Sequence, residues 1–168
     1  EVTLIEYADL QCPFCRAYSE QVLPVLVDEY VRPGEVRSEF RGLAFIGEDS
    51  EKALRFVYAA GLQDRLWNLQ EALFRNQGAE NSGWVTDELV RSLAEDIEGL
   101  DVDRLFEDAE GEEVAALITE SSSQAQAAGV SGTPSFSIQI GDEEPYALEL
   151  TALDPSAFRP ALDDALEG

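Results

Sequence analysis

The chain has 168 residues, 45% of them hydrophobic, which suits one domain with a core that needs no disulfide staples. Its 35 acidic and 11 basic residues leave a net charge of −24, a surface that repels phosphate backbones and anionic lipids and so argues against nucleic acid or a membrane surface as partner. No stretch approaches the roughly 18 consecutive apolar residues of a membrane span.

Val2 to Tyr7 is a short β-rich run, apolar on both faces apart from Glu6, the pattern of a central strand covered on both sides. Glu6 shares a face with Val2 and Leu4, so its carboxyl is expected to be buried. Asp9 to Arg16 then holds the only two cysteines, Cys12 and Cys15. From 13 to about 31, Phe14, Tyr18, Val22, Leu26 and Tyr30 recur at helical spacing. Pro13 suits the first turn of that helix, and Pro24 is expected to kink it. Pro33-Gly34 reads as a turn, and 36–40 as a second strand closed by Gly42.

Helices are expected at 50–60 (stopped by Gly61), 63–76, from a Thr86 cap to about 98, at 102–107 and at 112–128, with a polar loop at 78–83. Ser121-Ser122-Ser123 falls inside the last of these and is not a linker. Gly129-Val130-Ser131-Gly132-Thr133-Pro134 is dense in chain breakers and leads into 135–140, an alternating strand. A turn at 141–145 makes a hairpin to 146–150, and Asp154-Pro155 starts a final helix in which Phe158, Leu162 and Leu166 recur every four residues. The order is β-α-β, a helical block, then β-β-α. This is an α/β chain, 1–168 as one domain with a helical insertion at about 50–128.

Two cysteines three residues apart at a strand-to-helix junction suit the making and breaking of a disulfide. Helix N–H groups and the helix dipole favour a thiolate at Cys12. Cys12 is therefore expected to be the exposed, lower-pKa sulfur, and Cys15, one turn further in, the shielded sulfur that resolves a mixed disulfide. Cys15 must lose a proton to attack, and a buried Glu6 is placed to accept it; a structural ion pair or an exposed strand edge is the alternative for that residue. Zinc needs about four ligands, and the chain offers neither histidine nor a third cysteine. Copper carriage is poorly supported without histidine or methionine, and a structural disulfide is disfavoured by so tight a loop. The acidity has two explanations, codon bias in a GC-rich genome or adaptation to salt, where carboxylates keep the surface hydrated.

Glu6 through Cys15, the helical insertion and the Gly129 to Pro134 loop together resemble the DsbA-like thiol:disulfide oxidoreductases of the thioredoxin superfamily. The resemblance covers nearly the whole chain. It implies a thioredoxin-like fold, a central mixed sheet flanked by helices. It also implies Cys12 as the attacking cysteine, Cys15 as the resolving one and Glu6 as the buried acid. Pro134 would be the cis-proline facing the pair, with Thr133, Pro134, Pro13 and Phe14 meeting an extended substrate segment. No cofactor or metal is implied beyond the Cys12–Cys15 disulfide. Expected partners are reduced or misoxidised polypeptides and a membrane protein that reoxidises the pair, with the chain acting as a monomer outside the cytoplasm (periplasm, cell envelope or secreted).

The alternatives are a reductase or isomerase of the same fold, and a peptide-binding module with an incidental disulfide. Two departures stand out. Strongly oxidising members carry histidine between the cysteines, where this chain has Pro13-Phe14, so a milder oxidant is expected. Relatives also carry a strand before the position of Val2. The chain opens directly in strand pattern at Glu1, as a mature or trimmed form would, which leaves one sheet edge undefined by the sequence.

Overall fold

The computed structural model describes residues Glu1–Gly168. Strand β1 (Val2–Ala8) is buried along its whole length. It pairs in parallel with β2 (Val36–Gly42) and antiparallel with β3 (Ser135–Ile140), which in turn pairs with the short β4 (Tyr146–Ala147). The sheet order is β2-β1-β3-β4, so β2 and β4 are the edges. This is the central mixed sheet expected, with β1 at its middle.

The segment that follows β1 is helical from Pro13 to Val31 but not uniformly α. Helices α1 (Pro13–Ala17) and α2 (Leu23–Leu26) alternate with π turns at Tyr18–Val22 and Val27–Val31. The interruption at the expected Pro24 kink takes the form of a π turn. Pro24 sits in the first turn of α2, after a π turn in which the Leu23 N–H reaches back to the Tyr18 carbonyl.

Five helices fill the interval between β2 and β3: α3 (Glu48–Gly61), α4 (Leu66–Arg75), α5 (Asp87–Glu95), α6 (Val102–Ala109) and α7 (Glu112–Ala127). The helix expected at 63–76 starts three residues late, because Asp64 adopts φ +58°. Thr86 caps α5 as expected, its hydroxyl accepting from Leu89 N–H at 3.1 Å. Helix α7 ends in a left-handed Gly129 (φ +70°), with Val130 N–H bonded to Ala125 O at 2.9 Å. That reversal sends the chain toward Thr133-Pro134 and β3. Ser121 is buried in α7 and hydrogen-bonds the Tyr58 hydroxyl, so the serine run is helix as read.

Helix α8 (Pro155–Glu167) closes the chain, capped by Asp154. Its inward residues are Phe158, Leu162 and Ala165, while Leu166 faces outward, because the α period carries the buried line through 158, 162 and 165. The hairpin is also shorter than expected. Leu148 N–H still bonds Phe136 O at 2.9 Å, but Leu148 and Leu150 then pack on the core instead of extending β4.

Alternation puts Val2, Leu4, Glu6 and Ala8 on one face of β1, where two clusters divide the packing along the strand, while Ile5 and Tyr7 pack on the other face with Leu43 and Ala125. One cluster joins Val2 and Leu4 to Tyr18, Val22, Leu26, Phe136, Phe158 and Leu162. The largest fills the helical block (Leu54, Val57, Leu69, Leu73, Phe74, Leu105) and reaches Ala8, Leu10, Cys12 and Cys15. The two cysteines therefore sit where the insertion meets the end of β1.

Candidate active site

Strand β1 delivers Glu6 and ends at Ala8, and a tight turn follows in which Cys12 N–H bonds Asp9 O at 3.0 Å. Cys12 is the N-cap of α1: its sulfur accepts from Cys15 N–H at 3.3 Å, and Pro13 takes the first turn, where no N–H is required. From the far side, the loop that enters β3 brings Thr133 and Pro134 against the pair. The Thr133-Pro134 bond is cis, and the Cys12 thiol donates to the Thr133 carbonyl at 3.4 Å. The structure thus gathers Glu6, Cys12, Cys15, Thr133 and Pro134 at one place. Phe14 is 68% exposed beside Cys12 and lines a groove with Val130, Pro134, Leu148 and Leu150, while Pro13 stands exposed next to it.

Cys12 is less open than expected, at 5% exposure, because the Thr133 loop covers it; Cys15 is fully sealed. The electrostatics of the two differ sharply. The Cys15 thiol, held against the Cys12 sulfur, brings the Cys12 thiol down to about 6; burial opposes this, and the Thr133 side chain and the N–H groups of Cys15 and Phe14 assist it. Arg16 takes no part, since its guanidinium pairs with Glu20 at 3.0 Å. Burial drives the Cys15 thiol far above its ordinary value, with the neighbouring Cys12 and the Glu6 charge adding to it. Glu6 is 1% exposed and has neither an ion-pair partner nor a hydrogen bond, so both alternatives for it fall away. Burial first, and the Cys12 charge second, push its carboxyl up to about 8.

Beneath the pair lies a polar scaffold that sequence reasoning missed. Buried Asp9 accepts from Gln11 N–H (2.9 Å), the Ser50 hydroxyl (2.6 Å), and Phe45 and Ile46 N–H (2.8 and 2.9 Å). The Gln11 side chain donates to Ser50 and accepts from Asn81 N–H and the Trp84 indole. Gln77 donates to the carbonyls of Leu10 and Cys12 at 2.8 and 3.1 Å. These bonds tie the cysteine loop to the helical block. Their partners lie far apart in the chain, and no spacing signalled them.

A family model described as thioredoxin matches residues 1–163. The chain belongs to the thioredoxin family. A probable disulfide bond formation protein D from Bacillus cereus is 31% identical over 137 residues, 80% of this chain and 63% of that protein. The chain therefore spans a little under two thirds of that curated relative. A crystal structure of a thioredoxin-like oxidoreductase from Silicibacter pomeroyi matches at 31% identity and a TM-score of 0.76, covering 100% of this chain and 88% of that one. Oxidised BdbD from Bacillus subtilis shares the fold at a TM-score of 0.85 and 22% identity, over 99% of this chain and 88% of that one. The resemblance read from the sequence holds for the thioredoxin family and its fold, and the thioredoxin-like architecture with its helical insertion is the one observed.

Proposed function

We propose that the chain is a thiol:disulfide oxidoreductase that forms and exchanges disulfides in polypeptides outside the cytoplasm, using Cys12 and Cys15. The observation that carries this reading is the asymmetry of the pair: a Cys12 thiol brought down to about 6, beside a sealed Cys15 whose proton an unpaired, buried carboxyl can share. A structural disulfide has no use for such an arrangement.

With the pair oxidised, a substrate thiolate attacks Cys12 Sγ. A mixed disulfide forms, the Cys12–Cys15 bond breaks, and Cys15 leaves as a thiolate that takes the Glu6 proton. A second substrate thiolate attacks the substrate sulfur of the mixed disulfide and expels Cys12, which leaves readily because its thiolate is stable near neutral pH. Two electrons pass from the substrate dithiol to the pair, and a membrane partner draws them off again. In the reverse direction Cys15 attacks and the Glu6 carboxylate accepts its proton. The pair is itself the redox centre, so these steps call on no cofactor or metal. The groove that runs from Phe14 past Val130 and Pro134 to Leu150 suits an extended polypeptide, held by Pro13, Phe14, Thr133 and Pro134, with one copy of the chain sufficing.

A Cys12 pKa near 6 lies between about 3.5 for a strongly oxidising DsbA and about 7 for thioredoxin, which favours a mild oxidant. The test is the equilibrium potential of the pair in glutathione buffer, expected between about −120 and about −270 mV. A value at or below the thioredoxin end overturns the oxidising direction and makes the chain a reductase. Cys12→Ser separates both from a peptide-binding module: loss of thiol exchange with peptide binding retained supports the enzyme, and unchanged biological function supports the module. Glu6→Gln is expected to slow release of mixed disulfides and to spare their formation.

A further inference from the structure

Glu6 and Tyr18 are buried at 1% and 0% exposure, and both carboxyl oxygens and the phenol oxygen lack a protein partner. Buried polar groups are almost always satisfied, by protein or by internal water. The backbone brings these two together. Glu6 lies opposite Phe136 in the β1–β3 ladder, and the Phe136 ring packs on Tyr18 with centroids 4.7 Å apart. Cys15 and Tyr18 are three residues apart on one helical segment, so they leave it on the same side, and the Glu6 charge acts on both.

Phe40 on β2 and Phe136 on β3 lie opposite Glu6, Phe158 and Leu162 of α8 share the apolar cluster of Tyr18, and Gln70 Nε2 on α4 is the one further buried polar side-chain atom without a protein partner. The charged residues of β2 (Arg37, Glu39 and Arg41) alternate onto the other face of the sheet, which leaves Cys12 and Cys15 as the titratable groups that face Glu6 besides Tyr18.

We propose that Tyr18 is a positioning residue for Glu6: its hydroxyl and the Glu6 carboxyl hydrogen-bond through one internal water, on the helix side that also carries Cys15. This rests on the reading of Glu6 as the proton carrier. The hydroxyl donates toward the ionised carboxyl, so it favours the carboxylate that receives the Cys15 proton and fixes where that carboxylate stands.

Tyr18→Phe removes the hydroxyl and keeps the ring stack on Phe136 and Phe158. The Glu6 carboxyl is titrated in both proteins by its infrared C=O stretch. The midpoint is expected to rise in the variant by up to about one pH unit, because the bridging water loses the partner that holds it against the carboxylate. The pH profile of mixed-disulfide release should move by the same amount, with Cys12 alkylation unchanged. An unmoved carboxyl midpoint overturns the proposal, whatever the release rate does. In the Glu6→Gln background, adding Tyr18→Phe should leave release where Glu6→Gln alone put it. Further slowing shows that Tyr18 acts otherwise and also overturns the proposal. If Glu6→Gln alone leaves release untouched, the proton-carrier reading of Glu6 fails, while the carboxyl titration still decides the Tyr18 pairing.

Discussion

Cys12 and Glu6 carry opposite shifts, and each leaves a mark that can be measured separately. At pH 7.5 Cys12 is mostly thiolate and Cys15 is not, so iodoacetamide should modify Cys12 faster by about a hundredfold or more, following a single titration near pH 6. Peptide mass spectrometry of the quenched protein reads the ratio; equal labelling would contradict the assigned roles. Stability carries the second mark. Glu6 holds its proton more readily when folded, so the fold loses stability as pH rises from about 4.5 to about 8. Cys12 gives up its proton more readily when folded, so the reduced fold gains between about 6 and 9.

The reduced protein is therefore expected to weaken up to pH 6 and stay level to pH 8, whereas the oxidised protein, lacking the Cys12 thiol, weakens throughout. Guanidinium midpoints of both forms at pH 5, 7 and 9 test this, and Glu6→Gln should abolish the fall. Burial of Glu6 was legible in the sequence because alternation put it with Val2 and Leu4. The covering of Cys12 was not, since Thr133 comes from a loop 121 positions away.

Among the elements, the Asp9 turn is the joint on which the cysteine loop rests. Asp9→Ala leaves four donors from three segments without their acceptor, Gln11 N–H, the Ser50 hydroxyl, and Phe45 and Ile46 N–H, at a cost of about 3 kcal/mol or more. A urea midpoint within experimental error of the parent would contradict that. Removing the Thr86 cap is a milder change on α5, about 1 kcal/mol by the same measurement.

The helices of the insertion were readable from their apolar period, with ends displaced by local geometry such as the left-handed Asp64. The π turns had a signal that went unused. Tyr18, Val22, Leu26 and Tyr30 recur every four residues, and on an ideal α-helix such a line drifts by about 40° per step. All four are nevertheless buried, because the wider π turns bring them back into line. The shortened β4 had no comparable signal: 146–150 alternates well enough for a strand, and only the pull of Leu148 and Leu150 toward the core ends it.

For the molecule as a whole, charge dominates the response to conditions. Ten of the basic side chains sit in ion pairs, half of them one helical turn apart, and Arg65 binds carbonyl oxygens instead. Surface pairs of this kind are worth little each, and the excess of 24 negative charges outweighs them. Raising salt from about 0.1 to 1 M shortens the screening length from about 10 to about 3 Å, so Tm is expected to climb. A flat or falling Tm would assign the acidity to codon bias. The element order was legible because the parallel β1–β2 pair demands a helical crossover and β3–β4 a hairpin. How the insertion locks onto the cysteine loop was not, because Gln77, Asn81 and Ser50 look in sequence like any polar surface residue.

The complete enclosure of Cys15 carries a consequence for timing. Small thiols in the surroundings can approach only from the Cys12 side, where they compete with Cys15 for a mixed disulfide but leave the internal step itself unchanged. On the roles proposed for Cys15 and Glu6, the internal route runs as a fixed clock, set by how the two are held and indifferent to the concentration of glutathione. A slowly folding client and a quickly folding one would be given the same internal interval in which to present a second thiol, shortened for both alike by whatever small thiol is present.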